Sequence, residues 1–455
     1  MNVVILDGTP SDMPVGEFLT NSAGDIGATV RRFPLADHQI APCLGDFECW
    51  IKTPGVCRTR DVIGEIMEAM TTADLVVFLT PIVFGGYSAE LKKAVDRLLG
   101  LIHPFFKEQD GLTRHFPRYQ RYARLLVIGL AERIDDEAAN IFREMAAGNA
   151  INLQSPAVFT QLVSTKADDW QDKLGQALRS ALGPARGTSS SYPAPDADSL
   201  MLACAADPLN AGDPPAPRSA TLLIGSARPK GSSTSESLAR ELIAGLNDAQ
   251  VATTVVYASQ FIKPGRATDD ALQAMLDTDL LVIAAPLYVD GLPSLVCRAL
   301  EQLTVHLDPK VHALRRVCGI INCGYPEAIH SRIAMRLLRN FAHQNQLIWA
   351  GGLPLGGGEI IHGRPLRSSR VLLRGPIRAL QMAANALANG HPIPLAASEL
   401  MARQLVPSWL FRWAARVRWT LQAKPNGVGW HQLAARPYET RLPPDTDQTV
   451  TTAGH

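Results

Sequence analysis

The sequence predicts an α/β protein made of two tandem copies of one parallel-sheet domain, and three observations carry that prediction. Short apolar runs of strand type alternate with helix-period stretches through both halves, the pattern of a parallel sheet covered by helices on both faces. Residues 74–97, DLVVFLTPIVFGGYSAELKKAVDR, align without a gap with residues 279–302, DLLVIAAPLYVDGLPSLVCRALEQ, and self-similarity at this scale marks a repeated unit. Between the halves, residues 183–218 are rich in Pro, Ala, Gly, Ser and Asp without a sustained period, which is linker composition. The domains are therefore drawn at 1–182 and 219–390, with a C-terminal helical extension and tail at 391–455.

Taken in order, the first half offers strands near 3–6, 29–33, 74–79, 123–129 and 157–163, with helices near 15–22, 61–71, 89–101 and 136–147. The second offers strands near 220–224, 252–257, 279–285, 317–323 and 347–352, with helices near 233–246, 269–277, 293–306, 327–345 and 366–388. Within the linker, SLMLACAA is apolar enough to dock on a neighbour. The stretch HPFFKEQDGLTRHFPRY at 103–119 is an insertion, read as a surface loop, with a cover over a site or a dimer contact as the other options. In the tail, 407–424 places Trp409, Trp413 and Val417 on one helical face with Arg412, Arg416 and Arg418 around it. Such a basic amphipathic helix either lies on a membrane surface or docks on its own core; Pro407 and the KPNG turn at 424–427 favour docking.

Composition narrows the function. The charges nearly cancel at +1, which argues against nucleic acid or an anionic membrane as the main partner. The longest apolar runs fall short of the ~20 residues that span a bilayer, so no transmembrane segment is expected. Met1 leads directly into NVVIL, so no secretory leader is expected, and an odd count of seven cysteines fits reduced thiols in the cytoplasm.

The chemistry is concentrated in Leu222–Leu246, LLIGSARPKGSSTSESLARELIAGL, where a strand leads through a Gly/Ser loop into a helix. First-turn amides at such a helix start have no intrahelical partner and share the positive end of the helix dipole, so the loop is built to hold an anion. Ser226, Arg228, Gly231, Ser232, Ser233 and Thr234 are the candidate phosphate ligands. The loop has neither the ending of a triphosphate-binding loop nor dinucleotide-fold glycine spacing, which points to a single phosphate.

With these loops in view, both halves resemble the flavodoxin-like NAD(P)H-dependent FMN reductases. In the second half, GSARPKGSSTS resembles that family's phosphate loop, PLYVDGLP at 286–293 its flavin-ring loop, and NCGYPEA at 322–328 the loop after the fourth strand. In the first half, TPIVFGGYS at 80–88, with Lys92, Asp96 and Arg97 behind it, resembles the ring loop, whereas DGTPSDMP at 7–14 is a degenerate phosphate loop without a cation. The resemblance implies two flavodoxin-like domains, each a five-stranded parallel sheet of order 2-1-3-4-5 with helices on both faces. It also implies FMN as cofactor, NAD(P)H as electron donor, a small-molecule acceptor such as a quinone, nitro compound or free flavin, and a homodimer. Ring contacts are then expected from Pro286, Leu287, Tyr288, Val289, Asp290 and Gly324, and in the first half from Thr80, Pro81, Ile82, Val83, Phe84 and Gly85. No catalytic acid or base is assigned. A flavodoxin-like electron carrier or a redox-sensing flavin-binding protein, neither using pyridine nucleotide, is the alternative. The first half also resembles iron–sulfur flavoproteins through CLGDFECWIKTPGVC at 43–57, but Cys43, Cys49 and Cys57 are one short of four cysteines, Asp46 standing where another would be. A structural loop without metal is expected.

Overall fold

The computed structural model describes residues 1–184, 196–208, 215–312, 315–369 and 371–439. The strands are β1 (Asn2–Asp7), β2 (Thr29–Pro34), β3 (Leu75–Val83), β4 (Gly86–Tyr87), β5 (Ile102–Gln109), β6 (Leu112–Pro117), β7 (Arg124–Ala131), β8 (Val158–Ser164), β9 (Ser219–Ile224), β10 (Ala252–Tyr257), β11 (Leu280–Pro286), β12 (Arg316–Asn322) and β13 (Ile348–Leu355). They form two parallel sheets of order β2-β1-β3-β7-β8 and β10-β9-β11-β12-β13, with β4 folded back on β3 and β5–β6 a separate hairpin. Both orders are the 2-1-3-4-5 of a flavodoxin-like domain. The strands are nearly continuous runs of Val, Ile, Leu and Ala because helices bury both faces; Val3, Ile5, Val77 and Ile128, for example, pack under helices Val15–Asp25 and Trp170–Leu182.

Several expectations need correction. The 103–119 stretch is a β-hairpin, not a plain loop, with Phe106 opposite His115 and Lys107 opposite Arg114. The strand expected to end at Leu79 runs on through Val83, because Thr80 and Pro81 still pair with Gly129 and Leu130 of β7. The helix expected over 366–388 is a 3-10 turn, Leu366–Ser369, followed by helix Arg374–Ala388. Part of the linker is structured as expected: helix Ala197–Cys204 buries Leu200, Ala203 and Cys204.

The two halves share one apolar core, which runs from Val76, Leu91 and Met145 to Val296, Leu337 and Phe341. Their interface is that of an isologous dimer, the same surface used twice about a pseudo-two-fold axis. In the internal alignment Ala89 matches Ser294, Asp96 matches Glu301 and Phe84 matches Val289. Each pair makes the reciprocal contact. Ala89 N–H donates to Glu301 Oε1 at 2.7 Å and Ser294 N–H to Asp96 Oδ2 at 2.8 Å, so each helix start is satisfied by a carboxylate of the other half. Asn340 Nδ2 donates to the Phe84 carbonyl at 2.7 Å, and Asn149 Nδ2 to the Val289 carbonyl at 3.0 Å. The two tandem domains thus pair with each other within one chain.

Candidate functional site

β11 ends in a tight turn. Tyr288 and Gly291 exchange backbone hydrogen bonds at 3.0 Å across Val289 and Asp290, which both have positive φ (43° and 60°), the pattern of a two-residue type I′ turn. The first half holds this turn in place. Lys92 Nζ, in a buried ion pair with Asp96, donates to the Tyr288 carbonyl at 2.7 Å. Asn149 and Asn152 donate to Asp290 Oδ2 at 3.1 and 2.6 Å.

A cavity of about 700 Å³ opens on the turn at the carboxyl ends of β11 and β12. Its second-half wall is Pro286–Asp290 with Asn322, Cys323, Gly324 and Tyr325. The opposite wall comes from the first half: Cys43, Gly45, Phe47 and Trp50 of the cysteine loop, Asp96, Leu98 and Leu99 after helix Ala89–Val95, and Ile102, Phe106 and His115 of the hairpin. Helix Ser408–Ala423 roofs it with Leu410, Phe411, Ala414, Ala415, Arg418, Trp419 and Gln422. Phe47 stacks on Trp50 at 5.2 Å and Trp419 meets both edge-on at 5.2 and 5.4 Å, an apolar aromatic wall. A Cβ on Gly45 would lie 2.2 Å from the Tyr288 hydroxyl, so only glycine lets the two halves close at this point. Glu327 ties three pieces together, accepting from Thr113 Oγ1 of the hairpin at 2.9 Å and from Ser408 Oγ of the roof at 2.5 Å. Its carboxyl is held down to about 2, despite burial, by the His330 ring 3.5 Å away and by hydrogen bonds from Ser408 and Thr113. Burial presses His115 down to about 3, so it is neutral at physiological pH.

Of the residues named from sequence, Pro286, Leu287, Tyr288, Val289, Asp290 and Gly324 line this cavity. The phosphate-loop residues lie just behind its wall. Arg228 donates to the Gly45 carbonyl at 2.5 and 3.1 Å and faces Glu359 at 3.6 Å, and both partners line the cavity. Thr234 Oγ1 donates to the Gly358 carbonyl at 2.8 Å, Ser233 caps the Glu236 amide at 3.1 Å, and Gly231 N–H donates to Glu236 Oε2 at 2.5 Å. Ser232 Oγ donates to the Pro229 carbonyl at 2.6 Å and Ser226 Oγ accepts from Arg228 N–H at 3.3 Å.

Thr80, Pro81, Ile82, Val83, Phe84 and Gly85 are not among the residues that line it. Their backbone makes the same turn, with Phe84 and Gly85 at φ 55° and 95°. Instead of facing a cavity, Phe84 meets Phe341 edge-on at 5.0 Å and Gly85 packs on Ile141, while Thr80 bonds Ser88 at 3.0 Å. The walls explain the difference. The first half carries the long segments 38–62 and 102–117, and both reach over the second half's turn; the second half has only 262–265 at the first of these positions and, among the described residues, no hairpin at the other. The first half's own anion cradle is filled from within: Asp7 accepts from Thr9 N–H and Oγ1 at 3.0 and 2.6 Å and pairs with Arg32 at 2.7 Å. Its Oδ2 would sit 1.9 Å from a Cβ on Gly16, in the first turn of helix Val15–Asp25.

The cysteine loop does not assemble a metal donor set. Among the described residues no group of three or more His, Cys, Asp or Glu is placed to hold an ion. Burial pushes the Cys43 thiol up to about 12 and Cys49 well up, the Cys57 sulfur accepts from Arg97 at 3.1 Å, and Asp46 pairs with Arg58 at 3.2 Å. Phe47, Trp50 and Trp419 were not named from sequence as site residues, although the cysteine motif and the amphipathic period marked their segments; Phe106 and His115 sit in the insertion for which a cover over a site was one option.

Residues 1–108 match the family model of NADPH-dependent FMN reductases. An iron–sulfur flavoprotein of Methanocaldococcus jannaschii is 34% identical over 102 residues, 21% of this chain and 51% of that protein. One of Archaeoglobus fulgidus is 27% identical over 100 residues, covering 21% and 48%. The chain thus spans about half the length of the curated relatives that it matches. Among solved structures, an NAD(P)H:quinone oxidoreductase from Methanothermobacter marburgensis is 18% identical, covering 40% of this chain and 95% of that chain at a TM-score of 0.31. An FMN-dependent NADH-azoreductase from Bacillus anthracis is 15% identical, covering 39% and 94% at a TM-score of 0.30.

Proposed function

We propose that the chain is an FMN-dependent oxidoreductase with one flavin, held in the cavity of the second domain and walled by the first. In the net reaction NAD(P)H, a proton and an oxidised small acceptor become NAD(P)⁺ and the acceptor carrying two more electrons and two protons. The observation that carries this reading is the cavity itself: it lies at the carboxyl ends of β11 and β12, on the ligand-binding edge of an open parallel sheet and bordering the β9/β11 switch point, and its roughly 700 Å³ suits a cofactor of this size.

Arg364 and His362 line the Glu359 end of the cavity, and behind that wall lie Arg228, the first-turn amides of helix Thr234–Asp248 and the hydroxyls of Ser226 and Ser233, the phosphate-loop groups that would hold the phosphate of FMN. Gly231, Ser232 and Thr234 complete that loop; Pro286, Leu287, Tyr288, Val289, Asp290 and Gly324 form the ring wall. When bound, FMN supplies the hydride-accepting chemistry. The chain's residues position and shield it: Lys92, Asn149 and Asn152 fix the turn, and Phe47, Trp50 and Trp419 exclude water. The Cys43, Cys49 and Cys57 donor set does not fit an iron–sulfur cluster, and no step is routed through one. The seven unpaired thiols accord with a cytoplasmic setting.

The test is flavin released by heat from the purified protein, counted per chain, followed by the visible band on adding NADPH or NADH. One FMN per chain, bleached by a pyridine nucleotide, is expected. Two per chain would place a working site in the first half as well, and a protein that binds no added FMN would overturn the reading.

A further inference from the structure

Helix Ser408–Ala423 has two apolar faces, and only one is used by the fold. Phe411, Ala415, Trp419 and Ala423 are buried against the hairpin and cysteine loop. Trp409, Trp413, Val417 and Leu421, at the same four-residue spacing, lie outside and are 66%, 64%, 42% and 63% exposed. The face expected from sequence to dock is therefore the one in solvent. A contiguous stripe of this kind marks an interaction site.

We propose that this stripe seats the protein on an anionic membrane surface, and that the cavity draws its acceptor from the lipid. Charge chooses the occupant. From residue 400 to 438 the chain has six Arg and Lys and no Asp or Glu, although the whole chain is near neutral at +1. Arg412 and Arg418 pair with Glu108 and Glu359, while Arg416 and Lys424 are exposed and have no acidic partner among the described residues. A second copy pairing through the same helix would bring these cations together, whereas anionic headgroups complement them. Two tryptophans beside basic residues on a helix too short to span are suited to the headgroup boundary. The stripe is also continuous with the site: Ala414, Arg418 and Gln422 line both the cavity and the shallow groove beside Trp413, Val417 and Leu421. The second clause of the proposal rests on the flavin reading above; the first does not.

The experiment is sedimentation of the full chain with vesicles of phosphatidylcholine alone or mixed with phosphatidylglycerol. Binding to the anionic vesicles, weakened by salt, is expected, with at least about a tenfold loss of affinity in a Trp409→Ser, Trp413→Ser variant whose circular dichroism is unchanged. A single Arg416→Glu variant should weaken binding in the same direction. Absence of vesicle binding, equal binding by the double variant, or a concentration-dependent dimer in place of vesicle binding would each overturn the proposal. Vesicle binding by a protein that takes up no FMN would uphold the docking surface and overturn the flavin reading and with it the lipid-borne acceptor.

Discussion

Lys92 shows how one residue of the first half serves a site in the second. Its ammonium is buried, with the Asp96 carboxylate on one side and the Tyr288 carbonyl on the other. Lys92→Met would leave the Asp96 carboxyl, which burial already pushes up, without its buried cation, so a stability loss of about 3–5 kcal/mol is expected in chemical denaturation. The flavin should be lost along with it, because the turn that Lys92 holds forms the cavity wall. Asp7, in the same half, has the opposite effect on that half's own loop. The missing cation in DGTPSDMP was legible in the sequence, but the carboxylate that fills the cradle was not, because its role depends on how close Gly16 lets helix Val15–Asp25 approach.

The two turns after β3 and β11 are the clearest case of equal elements with unequal fates. Both have two positive-φ residues and both receive an asparagine from the other half, yet only the second has a cavity. Asn340→Ala leaves the buried Phe84 carbonyl unsatisfied, and Asn149→Ala strips the partly buried Val289 carbonyl and the Asp290 carboxylate of a donor, each at a cost of about 1–3 kcal/mol. Asn149→Ala should weaken FMN binding as well, since Val289 lies in the cavity wall. Asn340→Ala should lower stability and leave affinity nearly unchanged, and equal flavin loss in both variants would contradict the assignment. The strands, helices and turn sequences behind this pair were readable from periodicity and from the internal alignment. The walls were not: the hairpin at 102–117 and the loop at 43–57 carry no period that says which half they cover.

At the scale of the molecule, the halves behave as a dimer joined in one chain, and its interface titrates. Burial lifts the Glu301 carboxyl from an ordinary 4.5 to about 7 where it accepts the Ala89 amide. The folded state therefore holds this proton more tightly than the unfolded chain, so the contribution is fully present below pH 4.5 and is lost as pH rises through 7. Glu301→Gln keeps an acceptor and removes the titration. Relative to the variant, the native protein should lose up to ~2–3 kcal/mol between pH 5 and pH 8 in denaturant midpoints measured at each pH. Sequence alone determined the two-domain α/β architecture, the strand–turn–helix loops and the weakness of the first anion cradle, because strand alternation, helix period and loop chemistry are local. Only the tertiary structure decided that one site is made from both halves, which turn faces a cavity and which face of the terminal helix is left in solvent. Each of these depends on surfaces that lie far apart in the chain and meet only when the two halves close on one another.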